Sequence, residues 1–339
     1  MEAMTSDLNA MTLWANAFLA DGTSRVLRLM TTSWTKPISS LYGVYFFAFL
    51  FWAMLAFRKN YQGHGLKNFF EFCFPREMYF HKSTSVDVQL FFVNAFLSLP
   101  VRLLDGLGAP VIAVWLLGLD TGASLTAFPL DPWTSLIYWA VWLAAMELGY
   151  YIAHWSCHNV PILWEIHKVH HSAEVMTPIT LWRKHPMFDA ASAICVAIVR
   201  GCLLAAVAGL TGCEFHAVHL FTFNIYFVLY RLAGQHLRHS HIWWAWGPRI
   251  SHVFLSPAQH QMHHSYDPKH INKNFGEVFA IWDWLFGSLY VAREKEDLSF
   301  GLGYEDHGIT NAATAYYVPL RNAGRMIVAK MRRQVDRPE

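Results

Sequence analysis

Charged residues are scarce in this 339-residue chain. Only 15% of its residues are Asp, Glu, Lys or Arg, and the formal net charge is +2. A charge so close to zero provides no broad basic surface, so we expect no nucleic-acid partner. Hydrophobic residues reach 54%, and they gather in long runs. Together these features predict one membrane-embedded unit rather than two soluble domains.

Motifs for several other chemistries are also missing. The five cysteines show no paired spacing, which excludes a disulfide framework and a CxxC metal knuckle. The chain has no GxSxG nucleophile turn and no GxGxxG dinucleotide loop, so reducing power is expected from a separate source. The N-terminus lacks the charged start and the cleavage site of a signal peptide, and we expect no processing.

Five apolar stretches are long enough for membrane spans, since about 20 helical residues cross the roughly 30 Å hydrocarbon core. They cover residues 38–57, 86–119, 133–154, 190–210 and 215–232. Pro100, Arg102 and Asp105 interrupt the second stretch, which is either one broken crossing or a short hairpin. A further apolar stretch, 275–291, predicts a helix that packs on the core or lies on the membrane surface.

Loop charge predicts the orientation of these spans. Lys and Arg follow the first, third and fifth spans, whereas the loops 120–132 and 211–214 have none. If the second stretch crosses once, the positive-inside rule places the histidine-rich segments in the cytoplasm, and a hairpin would disturb that count. The predicted fold class is all-α: an integral-membrane helical bundle with four to five spans and a cytosolic helical cap carrying the histidines.

Histidine is the most informative residue, because fifteen of the 19 histidines lie between positions 154 and 264. "HWSCH" places two of them four apart, and "HKVHH" and "HQMHH" repeat the pattern His-x-x-His-His. On a helix, positions i, i+3 and i+4 share one side, so each box projects its imidazoles together. The boxes contain His154, His158, His167, His170, His171, His260, His263 and His264. One ion takes four to six ligands, so eight imidazoles suit two ions, but imidazole alone does not name the metal.

Other histidines have simpler interpretations. His216 and His219 stand alone in an apolar span and are predicted to be packed residues with one hydrogen bond. The scattered His64, His81, His270 and His307 are predicted to lie on the surface. Eight unpaired imidazoles beside a membrane would be costly without a metal, and a flexible metal store would not need their ordered spacing.

At these residues the chain resembles the fatty acid hydroxylase/sterol desaturase superfamily of integral-membrane di-iron enzymes. The likeness runs from about Trp133 to Val291 and includes "ELGYYIAHWSCH", "LWEIHKVHHSAE", "WRKHP", "RHSHI", "LSPAQHQMHH" and "NKNFGEVFAIWDWLFGS". "ELGYY" and the closing segment look closest to the alkylglycerol monooxygenase-like branch and to bacterial lipid hydroxylases. The resemblance divides the chain into an N-terminal segment (1–37) that could form an interfacial helix, membrane spans and loops (38–132), a di-iron catalytic domain (133–292) and a basic C-terminal tail (293–339).

The resemblance implies that the eight boxed histidines bind iron and that His239 of "RHSHI" is a ninth ligand, with His236 and His241 as alternates. His185 of "WRKHP" also matches a family position, in a structural or ligand-supporting role. An imidazole ligand usually donates its second N–H to a carboxylate or carbonyl. Glu147, two turns before His154, is therefore a candidate support, and so is Asp283.

The implied function is O₂-dependent hydroxylation of an unactivated C–H bond of a membrane lipid at a di-iron centre. Two iron ions and an external electron donor, a separate reductase or carrier, are implied, and the alkylglycerol branch would add a tetrahydropterin. A desaturase or a sterol methyl oxidase with the same metal cage is an alternative within the family. The sequence does not identify the lipid substrate, the residues that bind it or the oligomeric state. Outside this class stand a membrane zinc hydrolase and a metal transporter. A transporter would place polar residues at mid-span, whereas these histidines lie beyond the span ends.

Overall fold

The computed structural model describes residues 37–61, 65–97, 112, 132–211, 234, 237–304 and 308–335. These residues form helices and connecting loops without a β-strand, and Phe254 and Phe279 pair in an isolated bridge. The all-α prediction is confirmed for this part of the chain. In chain order the helices are α1 (Pro37–Asn60), α2 (Leu66–Cys73), α3 (Arg76–Tyr79), α4 (Lys82–Leu97), α5 (Pro132–Asn159), α6 (Pro161–His171), a 3₁₀ helix (Pro178–Trp182), α7 (Pro186–Thr211), α8 (Pro248–Ser251), α9 (Pro257–His263), α10 (Ile281–Leu285) and α11 (Ala312–Val335).

Some of the predicted membrane spans are helices in the structure, and others lie wholly or partly outside the described residues. Pro186–Val207, within α7, is long and apolar enough to cross a membrane, and the described residues contain one such helix. The predicted spans 38–57 and 133–154 are helical, as parts of α1 and α5. The span 86–119 is helical as far as Leu97, whereas its remainder, the span 215–232 and residues 1–36 lie outside the described residues. The number of spans and the cytosolic cap stay predictions.

Helices α5 and α7 form the main packed pair of the fold. Leu143 and Met146 of α5 bury against Val196 of α7. A Cβ atom at Gly149 would lie 2.7 Å from the Cα of Val196, so the backbones approach closely only because this position is glycine. This close contact fixes the end of α5, which carries His154 and His158.

Pro161 separates α5 from α6. A proline lacks the backbone N–H that would continue the helix, and its ring clashes with the carbonyl of the fourth preceding residue. Helix α5 therefore ends at Asn159, Val160 intervenes, and α6 begins with Pro161 at its first position. This break turns the second histidine box toward the first.

The apolar stretch 275–291 is not one helix, which corrects the prediction. Only Ile281–Leu285 is helical. Upstream, the backbone N–H groups of Phe275 and Gly276 donate to Asp283, and those of Val278 and Phe279 donate to Glu147. The carboxylates accept from N–H groups that a helix would otherwise use, so this segment is not helical.

The C-terminal tail contains a long helix that its sequence did not reveal. The first half of α11 packs on α6 and α4. The Asn322 amide donates to Glu165 of α6 at 2.8 Å, and the Tyr316 hydroxyl donates to Asn94 of α4 at 2.8 Å. Part of the tail is thus built onto the histidine-bearing domain.

Candidate metal centre

Nine histidines converge in two adjacent groups. In each group, the candidate ligand nitrogens all lie within 4.8 Å of one another. Group 1 contains five histidines: His154, His158, His167, His171 and His263. Group 2 contains four: His170, His239, His260 and His264. The structure therefore brings together all eight boxed histidines and His239.

Each His-x-x-His-His box divides between the two groups. Helix α6 provides His167 and His171 to group 1 but His170 to group 2. Helix α9 provides His260 to group 2 and His263 to group 1, and His264, which directly follows the helix, belongs to group 2. The stacked His171 and His264 rings, 4.5 Å between centroids, join the groups.

Within each group, ring nitrogens face one another at short distances. In group 1, the Nε2 of His167 lies 3.0 Å from that of His154 and 3.2 Å from that of His171. In group 2, the Nε2 of His260 lies 3.0 Å from that of His239 and 3.2 Å from that of His264. Two nitrogens at right angles on one ion, each about 2.1 Å away, lie about 3.0 Å apart. The spacing fits ligands that share an ion.

Backbone carbonyls determine which nitrogen of three histidines carries the proton. The Nδ1 of His154 lies 2.7 Å from the carbonyl of Phe275, that of His263 lies 2.7 Å from Lys273, and that of His170 lies 3.1 Å from Arg183. A carbonyl only accepts, so each Nδ1 donates its proton, and in a neutral ring the Nε2 keeps its lone pair. These lone pairs point into the groups.

Burial favours the neutral form of these imidazoles. Outside α5, desolvation lowers the pKa of each group member well below its ordinary value of 6.5, and repulsion between neighbouring imidazoles adds to the effect: His167, His170, His171, His239, His260, His263 and His264. Neutral imidazole is the form that binds a metal. Phe188 and Phe275 pack against the rings of group 1 and reduce its contact with water.

The residues present fit a pair of metal ions. The Nε2 atoms of His158 and His263 are buried and make no hydrogen bond with described residues. Several Nε2 lone pairs facing one another in a dry site repel, unless a cation lies between them. The groups consist of nitrogen ligands only, a donor set that suits iron, zinc, copper or nickel.

The two predicted supporting carboxylates act at the backbone of the 275–279 segment. Asp283 accepts from the N–H groups of Phe275 and Gly276 at 2.8 Å each and from the Ser288 hydroxyl at 2.6 Å. Because the Phe275 carbonyl bonds His154, Asp283 supports this ligand through one peptide. Glu147 is fully buried and accepts from Val278 and Phe279 at 2.9 and 3.1 Å.

The remaining predicted histidines lie outside both groups or outside the described residues. His185 contacts the Tyr316 carbonyl and accepts from the N–H of Met187, which ties α7 to α11. The Nε2 of His241 donates to the carbonyl of Phe72 at 2.6 Å. His236 lies outside the described residues, as do His64, His216, His219 and His307.

His270 corrects the sequence analysis, which predicted a surface residue. It is fully buried, and its Nε2 lies 3.0 Å from a carboxylate oxygen of Glu296. The Tyr290 hydroxyl donates to the other oxygen at 2.9 Å, and the ring of Tyr290 packs against His270. Glu296 lies 26 residues away in the sequence, and no local sequence pattern predicts that it pairs with this buried imidazole.

Arg183 is a supporting residue that the sequence analysis missed. The buried guanidinium binds Asp87 at 2.8 Å and donates to the carbonyl of Val169 and to Ser172 at the end of α6. Its own carbonyl accepts from His170. It thus connects α4, α6 and one ligand. Arg183 lies in the motif "WRKHP", two residues before His185.

Two amide side chains, also missed, fix the loops that carry ligands. Gln261 donates to the carbonyls of Leu237, Ser240 and Ile242 at 2.7 to 2.9 Å, which locks the loop around His239. Asn274 lies between the carbonyls of Lys273 and Phe275, and its left-handed φ of 59° explains the asparagine. Asn274 donates to the Gln259 carbonyl and accepts from the N–H of Tyr290.

Comparison with known proteins agrees with this geometry. Residues 139–288 match the family model described as "Fatty acid hydroxylase". The chain therefore carries a fatty acid hydroxylase domain, and the resemblance predicted from its histidine boxes is confirmed. No solved structure matches the chain.

Similar curated proteins include alkylglycerol monooxygenases and a bacterial lipid hydroxylase. The chain is 29% identical to the alkylglycerol monooxygenase of Caenorhabditis elegans over 171 residues, 50% of this chain and 30% of that protein. It is 31% identical to the alkylglycerol monooxygenase of Danio rerio over 173 residues, which cover 50% of this chain and 34% of that protein. It is 28% identical to the ornithine lipid hydroxylase OlsE of Rhizobium tropici over 172 residues, which cover 51% of this chain and 47% of that protein. Each match spans less than half of the relative's own length.

Proposed function

We propose that this protein is a membrane-bound, O₂-dependent di-iron oxygenase that hydroxylates a C–H bond of a lipid. The observation that carries the proposal is the convergence of nine imidazoles, eight of them from buried residues, into two adjacent groups. A closed zinc site needs only four ligands, and nine neutral ligands for two ions exceed that need. The hydroxylase domain and the lipid-hydroxylating relatives support the same reaction class.

The ligands of the proposed iron pair are the members of group 1 and group 2. A bound iron pair would supply reduction of O₂, with electrons from an external donor, so that one oxygen atom enters a C–H bond. The chain itself supplies nitrogen lone pairs, with the ring protons of His154, His170 and His263 held by carbonyls. Phe188 and Phe275 exclude water, which protects a reactive oxidant from quenching.

The proposed substrate is a membrane lipid that enters from the bilayer. Helix α7 carries the segment that could span a membrane, and it packs along α5, which ends in His154 and His158. A lipid lying beside these helices could present a C–H bond at the histidine groups. The names of the relatives favour an ether lipid or an aminolipid over a sterol or a free fatty acyl chain.

The electron donor is proposed to be a separate reductase, a carrier or a tetrahydropterin. The proposed location is a multi-pass membrane protein with its histidine groups on the cytoplasmic side. Desaturation and sterol methyl oxidation could use the same ligand cage, and the product distinguishes them. Hydroxylation adds an oxygen atom, whereas desaturation removes two hydrogens.

The deciding experiment combines metal analysis with isotope labelling. Purified protein should hold about two iron ions per chain and little zinc. Lipids from cells with and without the protein, grown under ¹⁸O₂, should differ by one lipid class that gains one labelled oxygen. Zinc in place of iron would favour the hydrolase, and loss of two hydrogens without label would favour the desaturase.

Two ligand variants and one control test the assignment of the histidines. His170→Ala and His263→Ala, one from each group, should each lower the iron content and abolish lipid oxidation. His81→Ala is the control, because its half-buried ring lies outside both groups and bonds the N–H of Ser83. Full activity in either ligand variant would contradict the assignment.

A further inference from the structure

Helix α11 has one packed half and one exposed half. In the first half, Ala315, Val318 and Ala323 are buried. From Gly324 to Arg333, every side chain of the helix is exposed. An isolated helix as short as this exposed half, about ten residues, is marginally stable in water. The exposed half therefore needs another contact to remain helical.

The exposed half carries a continuous apolar stripe. At 3.6 residues per turn, Leu320, Ile327 and Met331 fall within about 40° of one another, and Val328 adjoins them. These four side chains are 46% to 60% exposed: Leu320 47%, Ile327 46%, Val328 48% and Met331 60%. Four large apolar side chains in one stripe indicate a contact surface rather than scattered exposure.

Cations flank this stripe. Arg321, Arg325 and Arg332 lie along one side of it, and Lys330 lies along the other. The sequence contains no Asp or Glu between positions 308 and 335, and Asp336 is the first acidic residue after the helix. An apolar stripe bordered by Arg and Lys is typical of a helix that lies in the headgroup region of a bilayer.

We propose that residues 320–333 of α11 form a membrane-binding face that lies on an anionic lipid surface. The apolar stripe would enter the boundary between headgroups and acyl chains, while the flanking cations would meet lipid phosphates. One anionic bilayer would bury the apolar stripe and neutralise the flanking cations at the same time. The proposed lipid substrate lies in the same bilayer. The inference depends on the membrane location proposed above, but not on iron or on the reaction.

The membrane-binding face is connected to the metal centre through α6. Asn322, at the junction of the two halves, donates to Glu165, whose carboxylate also binds Lys168 at 2.7 Å. Lys168 lies between the ligands His167 and His170 in sequence. Seating α11 on the lipid surface would therefore fix the orientation of the ligand-bearing helix relative to the bilayer.

Hydrogen exchange of the full chain in lipid nanodiscs tests the proposal. Amide exchange of residues 324–335 is compared between discs of phosphatidylcholine alone and discs with about 30% phosphatidylglycerol. We expect exchange to be at least about tenfold slower in the anionic discs, because several cations each add affinity. High salt should remove much of this protection, since it screens the charges.

Three variants make the test specific. The double variant Arg325→Gln/Arg332→Gln should lose the difference between the two lipids, and Ile327→Ser/Met331→Ser should lose protection in both. Lys67→Gln is the control, because Lys67 is also an exposed cation but lies on the separate helix α2, beside Glu71. It should leave the exchange of residues 324–335 unchanged.

Equal exchange in both lipids would overturn the proposal. So would protection that appears only in discs holding two copies of the chain, which would assign the face to self-association. Iron content and ¹⁸O incorporation are measured on the same variants. Failure of the oxygenase proposal would appear in those assays and leave the exchange result intact.

Discussion

Replacing Asn274 by alanine and by glycine separates two contributions to the stability of the candidate metal centre: the side-chain hydrogen bonds of Asn274 and the strain of its left-handed backbone. Its side chain makes two hydrogen bonds, a buried one to the Gln259 carbonyl at 3.1 Å and a partly buried one from the Tyr290 N–H at 2.8 Å. Each is worth about 0.5–1.5 kcal/mol. Its left-handed φ of 59° costs an ordinary residue roughly 1–2 kcal/mol, but glycine adopts it freely.

The expected losses follow from these values. Asn274→Ala should lose about 2–5 kcal/mol, and Asn274→Gly about 1–3 kcal/mol, because only alanine adds the strain. The exposed Asn272 has a similar φ of 57°, so Asn272→Ala should lose only the strain, about 1–2 kcal/mol. Iron content should fall for both Asn274 variants and not for Asn272→Ala, because Asn274 fixes the carbonyls that orient His154 and His263.

Thermal unfolding in detergent and iron analysis measure both effects. At roughly 2–4 °C per kcal/mol, the Asn274→Ala variant should melt about 4–20 °C lower than the parent protein. Equal midpoints for the alanine and glycine variants would refute the strain argument. Full iron content in both variants would refute the role of the loop in holding group 1.

Three further predictions concern the rest of the site. Asp87→Asn should lower stability by about 3–5 kcal/mol in thermal unfolding, because it leaves the buried Arg183 cation without its counter-ion. The matched change Asp189→Asn, at a longer and more exposed pair, should cost under about 1 kcal/mol, and equal losses would contradict the difference in burial. Gln261→Ala should release the loop around His239 and reduce iron content toward about one ion per chain, whereas an unchanged content would remove that role. Burial lowers the pKa of group members such as His264 below 6.5, so the unfolded chain binds more protons in acid. Stability of the iron-free protein should therefore decline as the pH falls below about 6.5, and equal midpoints at pH 7.5 and pH 5 would contradict this sign.

Most members of the candidate site could be found from sequence, since the fixed spacing of histidines on helices survives in any tertiary arrangement. His154 and His158 lie four apart on α5, and the His-x-x-His-His boxes lie on α6 and α9, as the spacing predicts. Predictions failed where a distant partner determines the outcome. His270 is buried beside Glu296, and Glu147 and Asp283 hold the backbone of the 275–279 segment in a non-helical conformation.

The supporting residues were difficult to predict for the same reason. An imidazole needs only a carbonyl oxygen for its Nδ1, and every residue of the chain has one. The sequence analysis therefore named carboxylates as supports, whereas the carbonyls of Phe275, Lys273 and Arg183 serve three of the ligands directly. Asp283 and Glu147 act one step farther away, on the backbone.

The sequence by itself indicated the helical class, the hydroxylase resemblance and the eight boxed histidines, because hydrophobic runs and residue spacing are local properties of the chain. The resemblance added His239. Only the tertiary structure decided how those histidines divide into groups of five and four. Each His-x-x-His-His box contributes to both groups, whereas His154 and His158 of α5 both belong to group 1. That division depends on the break at Pro161, the close packing at Gly149 and the loop at Asn274, which bring nitrogen atoms from distant parts of the chain within 4.8 Å of one another.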